Sequence, residues 1–231
     1  MTDDSCTTAA EPPPASPRPR GGGRRAPYRL ARGASPWLIP AGAVAMATAL
    51  ATRRSLRWGI VAVPAVTLAG LMVWFFRDPE RTGGPGKRVL APADGVVQSI
   101  DVQADGRTRV ATFMSPLNVH VNRAPMAGTV KSVARRPGGY VPAFNKDSER
   151  NERVVWHFDT EIGDLEVVQI AGTLARRIIP YVGTGHSAEQ GERIGLIRFG
   201  SRVDVYLPPG VEPGVEVGQH TLAGWTRLDR D

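Results

Sequence analysis

Apolar and polar positions fall into three regimes along the chain. Residues 1–36 carry almost no packable pattern and are rich in Pro, Gly, Ser, Thr and Arg, as in Glu11-Pro12-Pro13-Pro14 and Gly21-Gly22-Gly23-Arg24-Arg25. Such a composition cannot bury enough apolar surface to offset its chain entropy, and predicts a disordered basic tail. Between Trp37 and Phe76 the pattern is apolar all round, in two runs, Trp37–Thr52 and Trp58–Phe76, split by Arg53-Arg54-Ser55-Leu56-Arg57. The second run approaches the roughly 20 residues a helix needs to cross a bilayer, while the first is short. Trp37, Trp58 and Trp74 stand where an interfacial aromatic belt would put them. A membrane-embedded segment over 37–76 is expected, as a helical hairpin, a re-entrant pair or a single span; the competing reading is a pair of buried core helices. A full hairpin would set the three linker arginines across from the basic tail, which strains the positive-inside rule.

Beyond Arg77-Asp78-Pro79-Glu80 short β-branched runs alternate with Gly and Pro: Val96–Val102, Thr108–Phe113, Val119–Val121, Gly128–Ala134, Arg153–Phe158, Leu165–Ile170 and Thr173–Ile179. This predicts a mainly β domain over 77–231 built of many short strands. Ala91-Pro92-Ala93-Asp94-Gly95-Val96-Val97-Gln98-Ser99-Ile100 echoes Ala124-Pro125-Met126-Ala127-Gly128-Thr129-Val130-Lys131-Ser132-Val133, with a fainter third copy at Ala171-Gly172-Thr173-Leu174. Strands entered through tight glycine turns in repeated copies suggest a barrel-sandwich-like fold with an internal repeat. The first copy carries Asp94 where the others have alanine, a choice that packing alone does not favour.

Charge separates the regimes further. The formal net charge is +7, and Arg18, Arg20, Arg24, Arg25, Arg29 and Arg32, with the linker arginines, crowd the N-terminal third. Beside an apolar segment this points to an acidic membrane surface rather than to nucleic acid. The single cysteine, Cys6, leaves no disulfide framework, and the four histidines, His120, His157, His186 and His220, are not spaced for a metal. A cleavable signal peptide is not expected, since the apolar stretch begins too far in.

Near the C-terminus a strand pattern, Ile194 to Leu207, is interrupted by Gly200-Ser201, and glycine inside a strand marks a bulge, bend or close backbone approach. Asp94, His120 and Ser201 have the composition of a carboxylate, a base and a nucleophile. The Gly-x-Ser-x-Gly elbow of many hydrolases is absent around Ser201.

Five stretches in order carry a resemblance: Phe76-Arg77-Asp78-Pro79; Ala91-Pro92-Ala93-Asp94-Gly95; Met114-Ser115-Pro116-Leu117-Asn118-Val119-His120-Val121-Asn122-Arg123-Ala124-Pro125; Asn145-Lys146 to Asn151-Glu152; and Arg198-Phe199-Gly200-Ser201-Arg202-Val203-Asp204. The domain resembles the phosphatidylserine decarboxylases, in their short bacterial and archaeal class. The resemblance implies self-processing. Ser201 would attack the carbonyl of Gly200, and cleavage there would give a β chain, 1–200, and an α chain, 201–231, that stay together. Ser201 would become a covalent pyruvoyl group, forming a Schiff base with the amine of phosphatidylserine and yielding phosphatidylethanolamine and carbon dioxide. No external cofactor, metal or nucleic acid is implied, and a homo-oligomer is left open. His120, oriented by Asp94, is the expected base. Longer members carry His-x-x-His where this chain has His120 and Arg123, so Arg123 is a candidate for contacting the substrate's carboxylate or phosphate. The expected setting is the cell membrane, with the domain on its cytoplasmic face. Two alternatives keep parts of the pattern: a membrane-tethered biotinyl- or lipoyl-type carrier modified at Lys131, and a pyruvoyl enzyme acting on a soluble amino acid.

Overall fold

The computed structural model describes residues 28–81, 88–141, 150–173, 177–198 and 201–230. The two apolar runs are helices, α1 (Ser35–Ala51) and α2 (Gly59–Phe75), joined through a single 3-10 turn at Leu56–Trp58. They pack on each other as a hairpin, and Leu38 at the start of α1 shares an apolar cluster with Met72 and Phe75 at the end of α2. Their outer faces are not covered: Ile39, Ile60 and Val63 are 69%, 80% and 68% exposed, which rules out buried core helices. Leu56–Phe75, 20 residues, is long and apolar enough to cross a membrane by length and composition, whereas α1 is shorter.

Strands β1 (Tyr28–Leu30) and β2 (Arg77–Pro79) close the two ends of this hairpin by antiparallel pairing, Arg29 opposite Asp78. Residues 28–36 are therefore not part of a tail. Ala31 donates its N–H to Phe76 O at 2.8 Å, and Ala31 and Ala34 are buried against Phe75 and Phe76. A three-residue strand is too short to register as alternation, and its partner lies about fifty positions away. Residues 1–27 lie outside the described residues.

The rest is mainly β. In chain order the strands are β3 (Gly95–Val102), β4 (Thr108–Met114), β5 (Val121–Arg123), β6 (Gly128–Arg136), β7 (Arg153–Thr160), β8 (Gly163–Ala171), β9 (Ile178–Pro180), β10 (Ser187–Ala188), β11 (Arg193–Ile197), β12 (Ser201–Leu207) and β13 (His220–Thr221). Eight of them form one antiparallel sheet, in the order β10-β6-β7-β8-β12-β4-β3-β13, curled as a half-barrel. Strands β5, β11 and β9 form a three-stranded sheet. The main core joins Trp156 and Phe158 of β7, Leu165 and Val167 of β8, Val203, Val205 and Leu207 of β12, and Ile194 and Ile197 of β11. Alternation along β7 follows from its one buried face, whereas β12 is buried on both, with Arg202 and Asp204 paired on the face opposite Val203 and Val205.

Two expected strands differ. The run Val119–Val121 becomes a strand only from Val121, because Asn118 turns the preceding chain, its Oδ1 accepting from the N–H and the Oγ–H of Ser115 at 2.8 Å each. The run Thr173–Ile179 is a strand only at Ile178–Pro180, and 174–176 lie outside the described residues. Lys131, the lysine of the carrier alternative, lies within β6 rather than at a hairpin tip, and pairs with Asp164 and Asp159.

The echoing segments are held by matching bonds. Gly95 and Gly128 each open a strand where a Cβ would meet a neighbouring carbonyl, Phe113 O at 2.1 Å and Asp159 O at 2.3 Å. The register then slips between Val97 and Ser99 in β3, and between Val130 and Ser132 in β6. Gly224 and Gly191 donate to Ala91 O and Ala124 O at 2.8 and 2.9 Å, and Gly218 and Gly185 donate to Val97 O and Val130 O, both at 2.8 Å.

Candidate active site

Ser201 is the first residue of β12, with strands on both sides: it lies opposite Met114 of β4 and Ala171 of β8. Its side chain is fully buried, and Oγ has no hydrogen-bond partner among the described residues. Phe199 and Gly200, and with them the expected scissile bond, lie outside the described residues, as do Asn145 and Lys146.

Two tethers bring His120 toward this position. Met114, opposite Ser201, leads directly into the Ser115–Asn118 turn and then to His120. From the other side, Ile197 donates its N–H to His120 O at 3.2 Å, and the four residue-to-residue steps from Ile197 to Ser201 can span at most roughly 14 Å. The imidazole is fully buried with its centroid 4.3 Å from that of Phe75. Its Nδ1 lies 3.0 Å from Asn118 O. A carbonyl oxygen only accepts, so Nδ1 carries the proton and Nε2 holds the lone pair. That Nε2 has no partner among the described residues. Burial, which disfavours the charged ring, pushes the pKa down to about 4; the Asn118 carbonyl and Asp94 oppose the shift and Arg77 adds to it. His120 is thus a neutral base with its basic nitrogen open.

Among the described residues Asp94 makes no hydrogen bond to this ring; its carboxylate is engaged elsewhere. It accepts from both terminal guanidinium nitrogens of Arg81, the second at 2.7 Å, and from Ala223 N–H at 2.8 Å. The orienting partner of His120 is the Asn118 carbonyl, and Asp94 acts on the ring through space. Arg123 is likewise committed to the protein. Its guanidinium donates to Gly191 O at 2.8 Å and Pro79 O at 2.9 Å and pairs with Asp78 at 3.4 Å. Burial lowers its pKa to about 10, and it forms part of the wall of a cavity of about 600 Å³ shared with Arg81, Arg193, Asp78 and Glu80.

Several neighbours escaped sequence reasoning. Asn151, fully buried, donates to Ala171 O and Val141 O at 2.7 Å each, bracing the strand position opposite Ser201. A buried polar chain runs from Trp156 Nε1 to Gln169 Oε1 at 2.8 Å, from Gln169 Nε2 to Asn122 Oδ1 at 2.7 Å, and from Asn122 to the Met114 sulfur at 3.6 Å. A glutamine inside the apolar run Leu165–Ile170 was the available signal for it. Among the described residues no group of three or more His, Cys, Asp or Glu side chains is arranged to hold a metal ion.

The family profile described as phosphatidylserine decarboxylase matches residues 68–228. The phosphatidylserine decarboxylase proenzyme of Streptomyces griseus is 68% identical over 207 residues, covering 90% of this chain and 96% of the relative. That of Streptomyces coelicolor is 70% identical over 203 residues, covering 88% and 93%, and that of Thermobifida fusca 63% identical over 210 residues, covering 91% and 96%. The match takes in the end of α2 from residue 68, the turn that carries His120, and β12 with Ser201. The chain belongs to the phosphatidylserine decarboxylase family.

Proposed function

We propose that this protein is a self-processing decarboxylase that converts phosphatidylserine to phosphatidylethanolamine and carbon dioxide. The observation that carries the reading is the pair of buried polar atoms without partners among the described residues, Ser201 Oγ and His120 Nε2, tethered near one another in a member of this family. A hydroxyl is a weak nucleophile until a base takes its proton, and a neutral imidazole with an open nitrogen is such a base.

In the processing step, His120 Nε2 accepts the Ser201 proton while Oγ bonds to the carbonyl carbon of Gly200. The C–N bond breaks, the proton returns to the departing nitrogen, and an ester joins the two residues. Loss of the Ser201 α-proton then expels the Gly200 carboxylate from Cβ. Water replaces the nitrogen of the resulting enamine, releasing ammonia and leaving a pyruvoyl group at residue 201. The fit of that group rests on Ser201 itself: among the described residues, the oxygen lost from it makes no hydrogen bond that its removal would break. When formed, the group supplies a ketone that takes up the substrate amine and the electron pair released with carbon dioxide. The His120 ring packs against Phe75, and its Nε2, open among the described residues, takes the proton shed by the substrate ammonium and returns it to the product's α-carbon. Asp94 and Arg123 shape the site from the positions described, as positioning residues.

The uncovered apolar helices and the arginines that flank them support a membrane-embedded enzyme with its domain on the cytoplasmic face. The matched glycines and register slips of β3 and β6 support reading the domain as a barrel-sandwich-like fold containing two copies of one unit.

Intact mass of the full chain purified in detergent tests the reading. Two fragments divided at Gly200–Ser201 are expected, the smaller lacking a free amino group, together with release of carbon dioxide from phosphatidylserine micelles. A Ser201→Ala chain should remain whole. A parent chain that stays whole and inactive after membrane expression would overturn the proposal.

A further inference from the structure

Outside the catalytic pair, a cavity of about 610 Å³ lies between the last turns of α2 and β1, lined by Leu30, Gly70, Val73, Trp74 and two arginines, Arg29 and Arg77. Its volume falls in the range of small-molecule pockets, about 300–1,000 Å³. Leu30, Val73 and Trp74 are each about half exposed, so an apolar ligand there would remove a continuous apolar strip from solvent. The polar side of the cavity is built. Arg77 donates to Trp74 O at 2.8 Å and Leu117 O at 2.6 Å, and its guanidinium lies 4.1 Å from the Trp74 ring centre. Arg29 is braced by Glu80 at 2.9 Å with half of its side chain open.

The cavity also adjoins the chemistry. Trp74 forms its wall, and the next residue, Phe75, turns inward onto the His120 ring. In the other direction the exposed apolar surface continues along α2 through Val66, Val63 and Ile60. A soluble amino acid has no use for such a path, whereas a lipid carries both an apolar chain to follow it and an anionic phosphodiester to meet the arginines.

Resting on the decarboxylase reading above, we propose that this cavity is the acyl-chain site: one acyl chain of a glycerophospholipid in the bilayer lies against Leu30, Gly70, Val73 and Trp74, with its phosphodiester at Arg29 and Arg77. Substrate then enters along α2 rather than from the aqueous face.

Gly70 offers a clean test, since it lines the cavity and a Cβ built there meets no atom within 4 Å, leaving a larger side chain open space to enter. For full-length Gly70→Phe in detergent micelles, self-cleavage should match the parent. Its kcat/KM on dioleoyl-phosphatidylserine should fall about tenfold or more relative to that on glycerophosphoserine, which has the same headgroup and no acyl chain. Arg29→Gln should raise KM for both. In the unmutated chain, a phosphatidylserine with a photoreactive diazirine in one acyl chain should label the peptide around Gly70–Trp74. Equal loss on both substrates, no loss on either, or label spread evenly along α1 and α2 would overturn the acyl-chain site. A parent that cleaves itself but turns over neither substrate would instead overturn the decarboxylase reading, and this proposal with it.

Discussion

Replacing Asp94 by asparagine separates two duties that the sequence left fused. The carboxylate receives both terminal guanidinium nitrogens of Arg81 and the Ala223 N–H, while Arg81 also donates to Ala223 O at 2.9 Å. The two side chains are 5% and 14% exposed. Breaking a buried pair by removing one charge costs about 3–5 kcal/mol because the other is left uncompensated, and the residual exposure of Arg81 puts the expected loss at the lower end, about 3 kcal/mol. In a Ser201→Ala background, where the chain cannot divide, this corresponds to a fall in Tm of about 6–12 °C. Thermal unfolding of the detergent-solubilised full chain, followed by tryptophan fluorescence, measures it. The double variant Asp94→Asn/Arg81→Gln removes both charges and should regain at least half of the loss. With Ser201 intact, Asp94→Asn and Arg81→Gln should slow self-cleavage by similar factors, because each releases the same clamp on Ala223. An Asp94→Asn chain within about 1 kcal/mol of its parent would refute the reasoning, as would normal cleavage in Arg81→Gln beside failed cleavage in Asp94→Asn.

Three further outcomes follow from the site and its supports. His120 is buried neutral with a pKa of about 4 against an ordinary value of 6.5, so the unfolded chain binds the extra proton between those values. Its contribution, about 3 kcal/mol, is complete above pH 6.5 and is lost as pH falls toward 4; a pH series of Tm on the Ser201→Ala chain should flatten over that window in His120→Gln. Gly95→Ala would set a Cβ 2.1 Å from Phe113 O and 2.8 Å from Thr112 Cγ2, prising β3 from β4 beside Met114, and should cost about 3 kcal/mol or more by the same unfolding assay. Trp156→Phe removes the donor to Gln169 Oε1 inside the core and should cost about 1–3 kcal/mol, with Trp156→Phe/Gln169→Leu recovering part of it.

What could be read from the chain alone follows the range of the forces involved. β7 announced itself because one face is buried and burial writes alternation into local sequence, while β8, buried on both faces from Val167 to Ala171, showed as an apolar run. The interruption at Gly200-Ser201 was legible for the same reason: it breaks a pattern that continues on both sides. β1, β10 and β13 were not legible, since two or three residues hold no period and their pairing is set by partners far along the chain. His120 was visible as a residue type, but its tautomer was not. Its Nδ1 meets a backbone carbonyl, Asn118 O, and main-chain atoms carry no signature in residue identity. Asp94 was correctly singled out as anomalous for packing, while its partner Arg81 sits in a turn-rich exit with nothing to mark it.

Strand β12 lies between β8 and β4 and is hydrogen-bonded to both from its first residue. A cut just before Ser201 would therefore fall at the head of an interior strand, and the short piece beyond it would also supply β13 at the sheet edge. The subunit boundary so created would have no surface of its own to evolve, because it would be the inside of a domain folded while the chain was whole. Reassembly from separately made pieces would require the long piece to present an open slot between β4 and β8, two exposed edges that invite aggregation. Synthesis as one polypeptide thus doubles as a folding template, and the fragments would be partners by ancestry in a single fold rather than by recognition.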